Sequence, residues 1–222
     1  VGEEFVSTPL VRKLTFTGST AVGKMLAGKA AGNMKRVSCE LGGHAPFLVF
    51  DDADPVHAAK GVQLVKFLNT GQACISPNRI FVHQSKVDAF VDTLQSRVAN
   101  MKAGSGMEDG VTIGPLVDER AVAKVSAQVD DAVAKGAEVV CGCNRLLSNG
   151  LEKGFFYAPT VLRGVTPDML IYREETFGPV APIITFDDDQ EALKMANDTN
   201  YGLAAYVYTR DISRAMRMFE AL

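Results

Sequence analysis

Two side chains sit where chemistry is possible, the thiol of Cys74 and the carboxylate of Glu40. Asp54 reads as a helix N-cap and Pro55 as the first helical residue, after which Val56, Ala59, Val62, Leu64, Val65 and Leu68 recur at helical spacing. That pattern stops at Thr70 and Gly71. Glycine can take a backbone conformation that ends a helix, and Pro77 stops a new helix from running through, so Cys74 is predicted on an irregular turn. A cysteine is more often a small buried hydrophobe than a nucleophile, so the thiol alone decides nothing. The second element changes the balance: Glu40 ends the strand-like run Arg36–Glu40 and precedes Leu41 and the glycine pair Gly42 and Gly43. A carboxylate in a short apolar strand is costly to bury without a partner or a task. A thiolate can form a covalent intermediate, and a carboxylate whose pKa rises on desolvation can take a proton from water.

The elements around these residues alternate between strand and helix. Residues 13–16 form a short alternating strand, residues 20–31 carry helix formers interrupted by Gly23 and Gly28, and the strand to Glu40 follows, a βαβ pattern of the kind that builds a parallel sheet. Gly18, Ser19 and Thr20 stand at the mouth of that helix. Free N–H groups there favour a phosphate, although a serine before a helix is most often only a cap. Residues 46–50 are a fully apolar strand, residues 79–83 another, and Ser85 is placed as the cap of a helix over residues 86–100. The apolar stripe of that helix, Val87, Phe90, Val91, Leu94 and Val98, belongs to the core. A glycine-rich loop spans residues 104–114, and a helix runs from Asp118 to about residue 135. Strands follow at residues 137–141 and within 155–162, where Pro159 argues for an edge or a bulge. The strand 180–186, the helix 190–197, the strand 204–208 and a last helix with Ile212, Ala215, Met216 and Phe219 on one face complete an α/β chain.

At 222 residues, with 47% hydrophobic and 22% charged, the composition is that of an ordinary globular protein. A net charge of -3 and a pI near 5.7 provide no basic face for nucleic acid or anionic lipid. No apolar run approaches the ~20 residues of a membrane span, and the N-terminus lacks the layout of a signal peptide. Four cysteines, Cys39, Cys74, Cys141 and Cys143, form no disulfide framework in a chain of this length, which points to a reducing, cytoplasmic setting. No metal is expected, because the three histidines lie far from the close pair Cys141 and Cys143.

Residues 66–78 and 38–43, with 16–20 before them and 174–179 after, resemble the signatures of the aldehyde dehydrogenase superfamily in order and over essentially the whole chain. Residues 11–19, 111–115 and 197–205 are most similar to its succinate-semialdehyde dehydrogenase branch. The resemblance implies the C-terminal part of a Rossmann-like coenzyme domain over residues 1–41. A catalytic domain is implied over residues 42–222, with chain missing before Val1 and after Leu222. It implies an NAD- or NADP-dependent enzyme that oxidises a small semialdehyde and forms a homo-oligomer, dimer or tetramer. By position, Cys74 becomes the nucleophile that carries the thiohemiacetal and thioester, and Glu40 the base for hydrolysis. Gly18 and Ser19 fall to the cofactor pyrophosphate, Glu175 to a ribose, and Leu41 and Phe177 to the nicotinamide. Read without the family, Glu174 and Glu175 are a solvated acidic turn and Leu41 is plain packing.

Two positions depart from that pattern. Typical members of the branch place an arginine six residues before the nucleophile to grip the far carboxylate of the substrate, and Leu68 stands there instead. That leaves succinate semialdehyde, glutarate semialdehyde and uncharged aldehydes as competing substrates, with a non-catalytic fragment as the reading from another class. Ser76 replaces the cysteine that in some members can form a disulfide with the nucleophile.

Overall fold

The computed structural model describes residues 2–222. The chain divides into two compact units, Val1–Gly42 and Gly43–Leu222.

In the smaller unit a short helix α1 (Gly2–Ser7) precedes strand β1 (Lys13–Thr17), helix α2 (Thr20–Ala31) and strand β2 (Arg36–Glu40). β1 and β2 pair in parallel, with Thr17 opposite Glu40, so the βαβ reading of the sequence holds, with the first strand one residue longer than read. Ser19 caps α2, its hydroxyl oxygen accepting the N–H of Val22 at 3.4 Å.

The larger unit is built on a six-stranded sheet. Its strands are β3 (Ala45–Val49), β4 (Pro77–His83), β5 (Glu138–Cys141), β6 (Thr160–Arg163), β7 (Val180–Phe186) and β8 (Tyr206–Tyr208), in the order β5-β6-β7-β4-β3-β8. All neighbours are parallel except β5 and β6. Helices α3 (Pro55–Lys66) and α4 (Val87–Val98) cover one face. On the other lie α5 (Glu119–Ala134), α6 (Leu170–Arg173), α7 (Asp189–Ala196) and α8 (Ile212–Ala221).

Side-chain alternation along the strands divides the core in two. Phe47 and Val49 of β3 and Ile80 and Val82 of β4 pack on Ala59, Val62, Phe90 and Leu94. Leu48 and Phe81 point the other way, toward Val125, Val129, Tyr172 and Met218. A parallel sheet covered on both faces needs strands that are apolar throughout, and β3 is buried at every residue.

Several expectations are corrected. Ser85 does not cap α4: Lys86 is the N-cap residue and donates no side-chain bond, while the Ser85 hydroxyl pairs with Nδ1 of His83 at 2.9 Å. Of the two alternatives, Pro159 does not mark an edge, and the irregularity in the pairing of β5 with β6 falls on β5, between Val139 and Cys141. Strand β6 begins one residue after Pro159 and lies inside the sheet with β5 outermost, so the missing N–H costs no ladder bond. The stripe on α3 also divides differently. Ala59 and Val62 are buried, but Val56, Leu64 and Leu68 are more than half exposed, and Lys66 takes a buried place. In α8 the buried residue is Met218, with Ile212, Met216 and Phe219 exposed.

Candidate active site

Asp54 starts α3 by accepting the N–H groups of Val56 and His57, with Pro55 in its first turn. The helix ends at Lys66, and a single 3-10 turn, Leu68–Gly71, follows. Asn69, Thr70 and Gly71 all hold positive φ, at 49°, 60° and 75°. Glycine takes this conformation freely and asparagine with some ease, but a β-branched threonine there is strained by about 1–3 kcal/mol.

Hydrogen bonds to a neighbouring loop hold the strained turn. The Thr70 hydroxyl accepts the Gly114 N–H at 3.0 Å and donates to the Gly114 carbonyl at 3.2 Å. Gln72 donates to the carbonyls of Asn69 and Pro115 and accepts the N–H of Val117. Cys74 then lies on a half-buried turn before β4, as its flanking glycine and proline predict. The Tyr206 hydroxyl fixes the far side of that turn through the Ile75 carbonyl at 2.9 Å.

Glycines let three backbone segments close on this turn. A Cβ on Gly43 would lie 1.9 Å from the Cys74 carbonyl oxygen, and one on Gly71 would lie 2.1 Å from the Gly178 carbonyl oxygen. Neither position tolerates a side chain. Residues 174–179 thus meet the turn at Gly71, and Glu175 accepts the N–H of Gly43 through Oε1 at 2.9 Å. Glu175 is therefore an anchored carboxylate and not a free acidic turn; its second oxygen makes no hydrogen bond among the described residues. Phe177 stands half exposed with φ of 52°, a strained arrangement for an aromatic residue.

Beneath the turn lies a polar layer that the sequence reading did not single out. Lys66 is completely buried, and its Nζ donates to Asn78 Oδ1 at 2.7 Å. Burial pushes the lysine down to about 7, a fall that the charge of Glu175 opposes. Asn78 Nδ2 donates to the Gly43 carbonyl at 3.2 Å. His44 donates through Nε2 to the Tyr172 carbonyl at 2.7 Å while its Nδ1 is buried without a partner. Burial lowers His44 to about 4, and Arg79 and Lys66 push in the same direction. Arg79, wholly buried, donates to the carbonyls of His44, Met195 and Ala196 and thereby ties the start of β3 to the end of α7.

In the smaller unit, Gly18 donates to the Glu40 carbonyl at 3.0 Å, and a Cβ on it would strike the Phe16 ring. Leu41 packs on Gly23 of α2, where a Cβ would meet Leu41 Cδ2 at 2.5 Å. The Glu40 side chain is exposed at the end of β2.

In the smaller unit the capped twelve-residue helix α2 presents first-turn N–H groups of the kind that bind a phosphate. In the larger unit Glu175 keeps one carboxylate oxygen that can accept from hydroxyl donors. Among the described residues no cluster of His, Cys, Asp and Glu could hold a metal ion, and no helix is long and apolar enough to cross a membrane.

Known proteins resemble the chain over its whole length. The chain is 50% identical over all 222 residues to the NADP(+) succinate-semialdehyde dehydrogenase of Escherichia coli, and 49% identical to the glutarate-semialdehyde dehydrogenase of Pseudomonas aeruginosa. In each case it spans 45% of the relative's length. The crystal structure of succinate-semialdehyde dehydrogenase from Burkholderia pseudomallei superposes with a TM-score of 0.96 at 50% identity, covering all of this chain and 45% of that one. The model of the aldehyde dehydrogenase family matches residues 1–222, and the chain belongs to that family.

Proposed function

We propose that the protein containing this chain oxidises a short semialdehyde, succinate semialdehyde first among the candidates, to its carboxylic acid. The Cys74 thiolate adds to the aldehyde carbon, and the backbone N–H of Cys74 is available to the oxygen that becomes negative. A bound nicotinamide cofactor, NAD or NADP, supplies the hydride acceptor. Loss of hydride turns the thiohemiacetal on Cys74 into a thioester. Glu40 takes a proton from water, the hydroxide attacks the thioester carbon, and the acid leaves as the Cys74 sulfur is released. Glu175 receives a ribose of the cofactor, Gly18 and Ser19 its pyrophosphate, and Leu41 and Phe177 flank the nicotinamide. Residues 1–41 then belong to the coenzyme domain and residues 42–222 to the catalytic domain of a homo-oligomer.

The observation that carries this reading is the closure of Gly43 and Gly178 on the Cys74 turn, which sets a thiol and an anchored carboxylate on adjoining backbone. Family membership and relatives named for succinate and glutarate semialdehydes support it. A second reading of the substrate rests on Leu68, which is 54% exposed on the same turn. An apolar side chain there suits a longer or uncharged aldehyde better than a short carboxylate. The test follows absorbance of the reduced nicotinamide when the full-length protein meets aldehyde and NAD or NADP. Reduction by the parent and none by Cys74→Ala is the expected result; a Cys74→Ala protein as active as its parent ends the proposal.

A further inference from the structure

Lys66 is the one wholly buried lysine among the described residues, and no step of the reaction above uses it. An ammonium can only donate hydrogen bonds, so its contact at 2.7 Å fixes which end of the Asn78 amide is oxygen. The amide nitrogen must then face the opposite way, where it meets the Gly43 carbonyl, a group that can only accept. The N–H of that same glycine donates to Glu175 Oε1. Both polar groups of Gly43 are thus committed, and the space for a side chain is taken by the Cys74 carbonyl. The chain of bonds runs Lys66, Asn78, Gly43, Glu175 in a single consistent polarity, with a cation at one end and a carboxylate at the other.

Burying the ammonium is costly, and Glu175 is the charge that favours it there. A methionine would fill the same space on α3 without that cost but would leave Asn78 Oδ1 without its buried donor, and the amide held by Gly43 alone.

We infer that Lys66 is a positioning residue for cofactor binding: by orienting Asn78 it fixes Gly43, and through Gly43 it aims the carboxylate of Glu175. This inference rests on the assignment of Glu175 to the cofactor ribose. Lys66 is predicted to act on affinity for the dinucleotide and not on the reactivity of the thiol, because the chain of bonds ends at Glu175 while Cys74 touches it only through backbone packing.

The experiment uses the full-length protein with Lys66→Met, Asn78→Asp, Glu175→Gln and the Lys66→Met/Glu175→Gln pair. Binding of NAD and NADP is measured by calorimetry, with KM and kcat, and the rate of Cys74 alkylation by iodoacetamide is followed alongside. Lys66→Met is expected to raise the cofactor Kd about tenfold, the scale of one lost hydrogen bond, with alkylation unchanged. Asn78→Asp keeps a partner for Lys66 but cannot donate to Gly43, so it should show the same loss even where Lys66→Met does not fold. The pair should bind no more weakly than Glu175→Gln alone, since the two substitutions break one chain. Additive losses, unchanged affinity in both Lys66→Met and Asn78→Asp, or alkylation slowing in step with binding would overturn the inference. Should Glu175→Gln leave cofactor binding intact while the parent still turns over aldehyde, the Glu175 assignment falls and the Lys66 role with it; a parent that binds no dinucleotide overturns the oxidation itself.

Discussion

Glu40 and Leu68 each tie one side chain to one measurable property. In the proposed reaction, acylation of Cys74 requires only the thiolate and a hydride acceptor, whereas deacylation requires water to lose a proton. Glu40→Gln should therefore keep a burst of reduced cofactor close to one per active site and lose steady turnover by about 10²–10⁴-fold, the usual worth of a general base. Rapid-mixing absorbance measures both, and burst and turnover falling together would assign Glu40 to another task. The proposed role of Leu68 concerns the substrate. It projects from the 3-10 turn, more than half exposed, and has no charge to offer a carboxylate. Leu68→Arg should raise kcat/KM for succinate semialdehyde relative to an uncharged aldehyde of equal length by about tenfold or more, as one charge-assisted hydrogen bond provides. Equal ratios in the two proteins would remove this position from substrate selection.

At the scale of elements, the Cys74 turn depends on a clamp more than on its own preferences. Thr70 holds an unfavourable φ, and its hydroxyl satisfies both polar groups of Gly114. Thr70→Ala should keep the backbone strain, leave those two groups unpaired and cost about 2 kcal/mol, whereas Thr70→Ser keeps the clamp. Thermal melts and the rate of Cys74 alkylation would separate the variants; equal losses for alanine and serine would contradict the clamp. The regular elements around this turn were legible because periodicity and capping are local: Asp54, Pro55 and Asp118 mark helix starts, and the all-apolar run before Phe50 marks a doubly covered strand. Periodicity does not say which neighbour a stripe will meet, which is why Leu64 and Phe219, each in a regular apolar stripe, lie outside. The thiol and the glycine pair could be found from residue type. The polar layer could not, since Lys66 meets Asn78 twelve residues away, and Asn78 meets Gly43 at a separation of thirty-five. Its one local trace is a lysine spaced seven from Ala59 and four from Val62, on the buried face of α3.

For the molecule as a whole, those buried bases should govern how stability follows pH. His44 is neutral in the folded chain because burial lowers its pKa from 6.5 to about 4, and its Nε2–H is already committed to Tyr172. Above pH 6.5 neither the folded nor the unfolded histidine holds the extra proton, and its contribution is constant. Between about 6.5 and 4 the unfolded chain takes up a proton that the folded chain refuses, so stability falls with pH by up to about 1.4 kcal/mol per unit. Below about 4 both forms are charged and the slope from this residue ends. Lys66 acts on the alkaline side with the same sign: its pKa is lowered from 10.5 to about 7, so between these values the unfolded chain again holds the extra proton, and stability gains as pH rises. Urea unfolding of the full-length protein at intervals from pH 4 to 8 checks the acid limb against His44→Asn, whose side-chain amide can still donate to the Tyr172 carbonyl but does not titrate. The parent should lose stability more steeply than the variant across that window and match its slope above pH 7; parallel curves throughout would mean that His44 takes up its proton in the folded state as readily as in the unfolded one.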